Sequence, residues 1–253
     1  MKRNLFVFVL LLGFLLVCHA QEKQPTLEET TLAIQKDPLN ASLYYVRGYI
    51  YASQGKYINA LDDLTRMVEL EPIANNFAIR SELYMSMGMY LDAINDCTRT
   101  IELEPSEAVY YWNRGFMYTA SGRFQEAIAD YSKSIALNPQ HARSYNLRGE
   151  AYYSLGKYND ALADISHAIS IEPNYHEAYS SRAMAYYALG KYQEAVDDLT
   201  RAIQLDSNAN VYKGRARCYQ ALADQTTNRQ QKADYQKKAD ADFAMAEKLE
   251  GSR

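Results

Sequence analysis

Ala142 to Pro173 reads ARSYNLRGEAYYSLGKYNDALADISHAISIEP. Tyr145, Arg148, Gly149 and Tyr152 recur at the three- and four-residue spacing that gathers side chains on one helical face. Gly156 then supplies a stop, because glycine adopts the left-handed backbone that ends a helix without a steric penalty. Beyond it Ala161, Ile165, Ala168 and Ile169 share a second helical face, and Pro173 closes that helix. The stretch is a helix pair punctuated by one glycine. A unit this small cannot bury an apolar face alone, so the chain has to contain copies of it.

Copies begin at Ala41, Ala74, Ala108, Ala142, His176 and Ala209, which sets repeats at 41–73, 74–107, 108–141, 142–175, 176–208 and 209–249. The closing prolines Pro72, Pro105, Pro139 and Pro173 lie 33, 34 and 34 residues apart. The Tyr145 slot holds Tyr44, Phe77, Tyr111, Tyr179 and Tyr212, and the Tyr152 slot is tyrosine throughout: Tyr51, Tyr84, Tyr118, Tyr186 and Tyr219. The Ala161 slot is alanine throughout. Gly149 has only small counterparts in Gly48, Ser81, Gly115, Ala183 and Ala216, so helices can approach closely there. Ahead of the first full copy, Thr26 to Lys36 reads as a lone second helix, making 21–40 a half repeat that covers the stack. Residues 250–253 are left as a tail. The sixth copy carries eleven more residues than the others between Tyr219 and Ala239. That insert, around Asp224 to Lys232, is polar and helix-compatible, and predicts lengthened helices or a longer loop.

These slots and their period resemble the tetratricopeptide repeat family, from residue 26 to about 249. The resemblance implies an all-α fold, a right-handed α-solenoid of stacked antiparallel helix pairs in which each repeat packs on its neighbours. It also implies a concave groove lined by the first helix of each pair.

Residues 1–20 stand apart. Lys2 and Arg3 precede an almost unbroken apolar run from Leu5 to Val17, and Ala20 offers the small residue that signal cleavage requires. The run is shorter than the ~20 residues that span a bilayer. It reads as a secretory signal with a mature start near Gln21. Lipidation of Cys18 and an uncleaved anchor are the alternatives, and only these would attach the chain to a membrane. All three predict export: periplasmic, envelope-associated or secreted.

Without Lys2 and Arg3 the chain holds 25 basic and 31 acidic residues. A net acidic chain lacks the basic face that releases counterions from nucleic acid, so no nucleic-acid partner is expected. Cys97 and Cys218 fall in the second and sixth repeats, too far apart in a stack to form a disulfide, and each occupies a packing slot. His141, His167 and His176 show no metal-ligand spacing, and no phosphate loop or nucleophile motif occurs. No enzyme activity, cofactor, metal or small-molecule substrate is expected.

Two charges recur as faithfully as the apolar slots. Arginine fills the Arg148 slot in every copy (Arg47, Arg80, Arg114, Arg182, Arg215), and aspartate the Asp164 slot (Asp63, Asp96, Asp130, Asp198, Asp242). Opposite charges repeated beside packed positions predict an ion pair between the helices of each repeat.

What varies between copies carries the functional reading. The resemblance places three slots of each first helix on the groove. They bring there Tyr45, Trp112, Asn146 and Lys213; Tyr49, Glu82, Phe116, Glu150, Met184 and Arg217; and Met85, Tyr153 and Tyr187. Trp112 is the only tryptophan, with Phe116 one turn further along the same face. Such a strip suits a partly apolar peptide or protein segment, with Glu82, Glu150, Lys213 and Arg217 setting polarity. The expected function is therefore a non-enzymatic scaffold or adaptor. A structural or assembly subunit of an envelope complex, possibly a lipoprotein, is the alternative.

Overall fold

A computed structural model describes residues 24–251. The expected signal segment and Cys18 lie outside them. Among the described residues there are thirteen α-helices and no strand. They fall into two compact units that divide between Arg123 and Phe124.

The first unit holds α1 (Leu27–Lys36), α2 (Ala41–Ser53), α3 (Tyr57–Leu70), α4 (Ala74–Ser86), α5 (Tyr90–Leu103) and α6 (Ala108–Ala120). Each helix packs against the next in sequence. Thr26 caps α1 through a capping box, accepting from the Glu29 N–H at 3.2 Å while Glu29 accepts from the Thr26 N–H at 2.7 Å. The first core gathers Ala41, Ala60, Leu64, Met67, Phe77 and Leu83; the second gathers Ala93, Ile94, Cys97 and Met117.

The second unit holds α7 (Phe124–Leu137), α8 (Ala142–Ser154), α9 (Tyr158–Ile171), α10 (His176–Ala188), α11 (Tyr192–Leu205), α12 (Ala209–Gln225) and α13 (Arg229–Gly251). Again consecutive helices pack, and α8 also touches α10, so successive first helices stand side by side. α13 runs to Gly251, so the expected tail begins inside the last helix.

In the repeats before the sixth, the turn follows from its glycine. Gly156 sits at φ +73°; its N–H reaches the Tyr153 carbonyl and the Lys157 N–H the Tyr152 carbonyl, both at 2.9 Å. This is the paired bonding by which a left-handed residue satisfies the last carbonyls of a helix. Gly149 serves a different need. A Cβ there would meet Ile165 Cγ1 at 2.5 Å, so only glycine allows α8 and α9 to approach as they do.

The insert in the sixth repeat lengthens both helices, and the turn between them lacks a left-handed glycine, with Thr226 ending α12 in an extended conformation. α12 has 17 residues and α13 has 23, against 13 and 14 in the preceding pair. Arg215 and Asp242 are 27 residues apart instead of the usual 16, yet they still meet at 2.8 Å.

The expected ion pairs are present within both units. Arg47–Asp63, Arg80–Asp96, Arg148–Asp164, Arg182–Asp198 and Arg215–Asp242 all pair bidentately, with both bonds between 2.7 and 2.9 Å. Arg114 and Asp130 fall one in each unit. Four of the paired aspartates, Asp63, Asp96, Asp198 and Asp242, are buried. Removing one partner of such a pair leaves the other without compensation. Asp198→Asn keeps the shape and removes the charge; it should lower stability by about 2–4 kcal/mol, seen as a lower melting temperature by circular dichroism. Unchanged melting would mean that the pair contributes nothing.

Candidate functional site

In the first unit, α2, α4 and α6 carry the expected groove residues Tyr45, Tyr49, Glu82, Met85, Trp112 and Phe116, all of them half-buried. Tyr45 rests on the first core, while Met85 and Phe116 rest on the second. The Trp112 and Phe116 rings stack at 6.0 Å, the one-turn neighbours that their spacing implies. Burial and the neighbouring Tyr49 and Glu82 push the Tyr45 phenol above its ordinary value. Glu82 is the exception in this aromatic setting. No described side chain donates a hydrogen bond or an ion pair to its carboxylate, and burial alone lifts it from 4.5 to about 7.

In the second unit, α8, α10 and α12 enclose a cavity of about 310 Å³. Tyr153, Met184, Tyr187 and Arg217, from successive first helices, stand around it, and Ser180, Ala183, Leu199, Gly214 and Cys218 complete its lining. Two tyrosines are held in place by the aromatic residue that opens the following second helix. Tyr153 meets Tyr158 at 5.4 Å and Tyr187 meets Tyr192 at 5.0 Å, both tilted. Met184 and Tyr187 remain 47% and 43% exposed. Gly214 contributes by absence, since even an added Cβ would stay 3.5 Å from Leu199. Arg217 stands exposed at the rim, with no ion pair among the described residues.

Three expected groove residues are engaged inside the molecule instead. Asn146 is only 1% exposed, so it does not face a partner. Its amide donates to Glu150 Oε1 at 2.8 Å, and Ser181 Oγ, on the next first helix, donates to the same oxygen at 2.6 Å. Glu150 is thus spent on joining α8 to α10. Lys213 Nζ bonds both carboxylate oxygens of Glu250 at 2.7 and 2.8 Å, which ties α12 to the end of α13. Reading each slot by itself missed these partners, which come from the next repeat or from the lengthened last helix.

The remaining reactive side chains are quiet. Cys97 and Cys218 are free and buried, and burial pushes both thiols up to about 11, away from a nucleophilic thiolate. His167 packs on the Tyr145 ring at 4.3 Å. His141 Nδ1 bonds Ser144 Oγ at 2.7 Å, and burial lowers its pKa. Among the described residues, no three His, Cys, Asp or Glu side chains gather as a metal would require.

The raised pKa of Glu82 bears on folding. The folded chain holds a proton on Glu82 that the unfolded chain releases, so stability falls as pH rises from 4.5 through about 7. Glu82→Gln removes the titration. Its advantage in thermal stability over the wild type should be small at pH 5 and approach at most about 3 kcal/mol at pH 8. Equal gains at both pH values would show that the carboxyl titrates normally.

Comparison with known proteins agrees with the geometry. Models described as tetratricopeptide repeat match residues 41–73, 142–175 and 176–208, and one described as TPR repeat matches 115–156. No curated protein matches the chain in sequence. A tetratricopeptide repeat protein from Parabacteroides merdae is 24% identical, with a TM-score of 0.69 over 88% of this chain and 85% of its own. MamA is 25% identical, with a TM-score of 0.59 over 68% of this chain and 95% of its own. YrrB, described as a TPR protein with an unusual peptide-binding site, is 16% identical, with a TM-score of 0.57 over 74% and 96%. The first and last of these likenesses are of fold alone.

Proposed function

The chain belongs to the tetratricopeptide repeat family, and from that premise we propose that it is an exported, non-enzymatic scaffold that binds a peptide or protein segment along its first helices. The cavity in the second unit carries this reading. Its walls at Tyr153, Met184, Tyr187 and Arg217 come from slots that differ between copies, while the charged slots that copies share are occupied in ion pairs. Tyr153, Met184 and Tyr187 offer a mostly apolar wall for one bulky side chain of the partner. Arg217 at the rim offers donors to an oxygen of the same segment. The helices that hold these residues are already ordered by their own cores, which lowers the entropic cost of binding on the protein's side. Trp112 and Phe116 give the first unit a second apolar surface.

Met184 and Tyr187 are exposed enough to be truncated without opening a core. Displayed 12-residue peptides selected on the full chain, then synthesised and titrated calorimetrically, should bind Met184→Ala/Tyr187→Ala or Trp112→Ala/Phe116→Ala at least tenfold more weakly. The far-ultraviolet spectra of these variants should match the wild type. Unchanged affinity in both double variants would overturn the groove reading.

Export rests on the basic start, the Leu5 to Val17 apolar run and Ala20. Mass spectrometry of the chain recovered from the producing cell should find an amino terminus at Gln21. An intact Met1 on soluble cytoplasmic protein would rule export out, and a lipid-modified Cys18 would make the chain a lipoprotein.

A further inference from the structure

Glu82 and Glu150 occupy the same slot in the second and fourth repeats, but their surroundings differ. Glu150 is satisfied from two sides, by Asn146 one turn earlier on its own helix and by Ser181 on the next first helix. One turn before Glu82 stands Ala78, which has no donor. Asn113, at the slot of Ser181, makes no hydrogen bond to it. The result is a half-buried carboxylate among aromatic residues with no compensating donor, which is costly in the ionised form. The same slot in the fifth repeat holds Met184, a wall of the second unit's cavity.

We propose that Glu82 is the receptor for one cationic side chain, a lysine or arginine, of a partly apolar partner segment bound on the first unit. This rests on the groove reading above and assigns the partner's charge at one point. The occupant follows from charge complementarity. An ammonium or guanidinium would supply the donors that Glu82 lacks, and an ion pair formed away from bulk water is worth more than one on an open surface. Aromatic residues around it add to the attraction. Tyr45 senses Glu82 electrostatically, and Phe116, stacked with Trp112, rests on the core that contains Cys97, which also senses Glu82. Ring faces near a bound cation contribute attraction of their own.

The site should also respond to pH near neutrality. Tyr45 faces Glu82 from α2, and its phenol lies above its ordinary 10.0. Cys97 on α5 is up at about 11. Asp96 on α5 is locked to Arg80, and Arg114 on α6 donates to Thr98. A partner lysine or arginine keeps its charge throughout. Binding of the cation therefore strengthens as Glu82 loses its proton, from pH 6 to pH 8.

The test is parallel selection of one displayed 12-residue peptide library on the full wild-type chain at pH 8 and pH 6, and on Glu82→Gln at pH 8. Circular dichroism confirms that the variant is folded. At pH 8 the wild-type pool should be enriched at least tenfold in peptides with Lys or Arg beside an aromatic or aliphatic residue. That enrichment should fall several-fold at pH 6 and return to the library frequency on Glu82→Gln, which still recovers apolar peptides. Equal Lys and Arg frequency in the wild-type and variant pools overturns the assignment. Convergence on apolar peptides without cation enrichment overturns it too, yet leaves the groove reading standing. If no pool converges, both readings fall.

Discussion

Five of the six repeats are each organised around one guanidinium. Arg47, Arg80, Arg148, Arg182 and Arg215 each grip the aspartate of their own second helix through two parallel bonds, the strong planar geometry of this pair. Each also lies near the ring of the aromatic residue three positions earlier, as Arg148 does at 5.7 Å from Tyr145 and Arg182 at 5.6 Å from Tyr179. A third bond leaves the repeat. Arg114 donates to Thr98, Arg148 to Ser132, Arg182 to Ser166 and Arg215 to Thr200, each on the preceding second helix. The aromatic residue reaches back as well: the hydroxyls of Tyr44, Tyr111 and Tyr179 donate to the carbonyls of Pro38, Pro105 and Pro173. One slot thus holds together a helix pair and its attachment to the pair before it. In a stack where contacts run between neighbours, that attachment is what transmits order from one repeat to the next.

The sixth repeat shows how strongly this constraint governs the chain. Its insert is shared between the two helices, and the Arg215–Asp242 pair survives across 27 residues. Added turns carry the paired helices outward together, and the new length finds its own contact where Tyr219 stacks on Tyr235 at 6.2 Å. An insert placed in the turn alone would have kept the helices at their usual length. Extending them instead gives α13 the reach to return Glu250 to Lys213. Lys213, at a groove slot, is paired with Glu250 by the same extension.

The slots that every copy shares were readable because repetition is itself a physical measurement: six copies facing the same packing problem solve it with the same residues. The alanine slot is fully buried where expected, and the arginine and aspartate slots pair within each unit. One feature of the same kind went unread. The residue two after each aspartate is Thr65, Thr98, Ser132, Ser166 or Thr200, always a hydroxyl, and it becomes Ala244 only in the sixth copy. At Thr98, Ser132, Ser166 and Thr200 the hydroxyl accepts from the next repeat's arginine, so its meaning appears only when adjacent repeats are taken together. The groove was less legible for a related reason. Slot position places a side chain on a first helix, but burial depends on what the neighbouring copy supplies, and Asn146 is enclosed while Trp112 and Tyr153 are not.

That dependence separates scaffold from site more sharply than variability does. Glu82 and Glu150 vary from their counterparts in other repeats to the same degree, and sequence alone gives both to the groove. Desolvation distinguishes them. A carboxylate drawn out of water needs donors, and Glu150 receives them from Asn146 and Ser181, so its charge is already committed to joining two first helices. Glu82 receives none and takes up a proton near neutrality instead. The same logic applies to the cations: Lys213 is committed to Glu250, while Arg217 stands exposed beside the cavity. Where a repeat array has met its own hydrogen-bonding demand, a groove slot is structure. Where the neighbours leave that demand unmet, the slot is available to a partner, and the chemistry of what is missing specifies the partner's side chain.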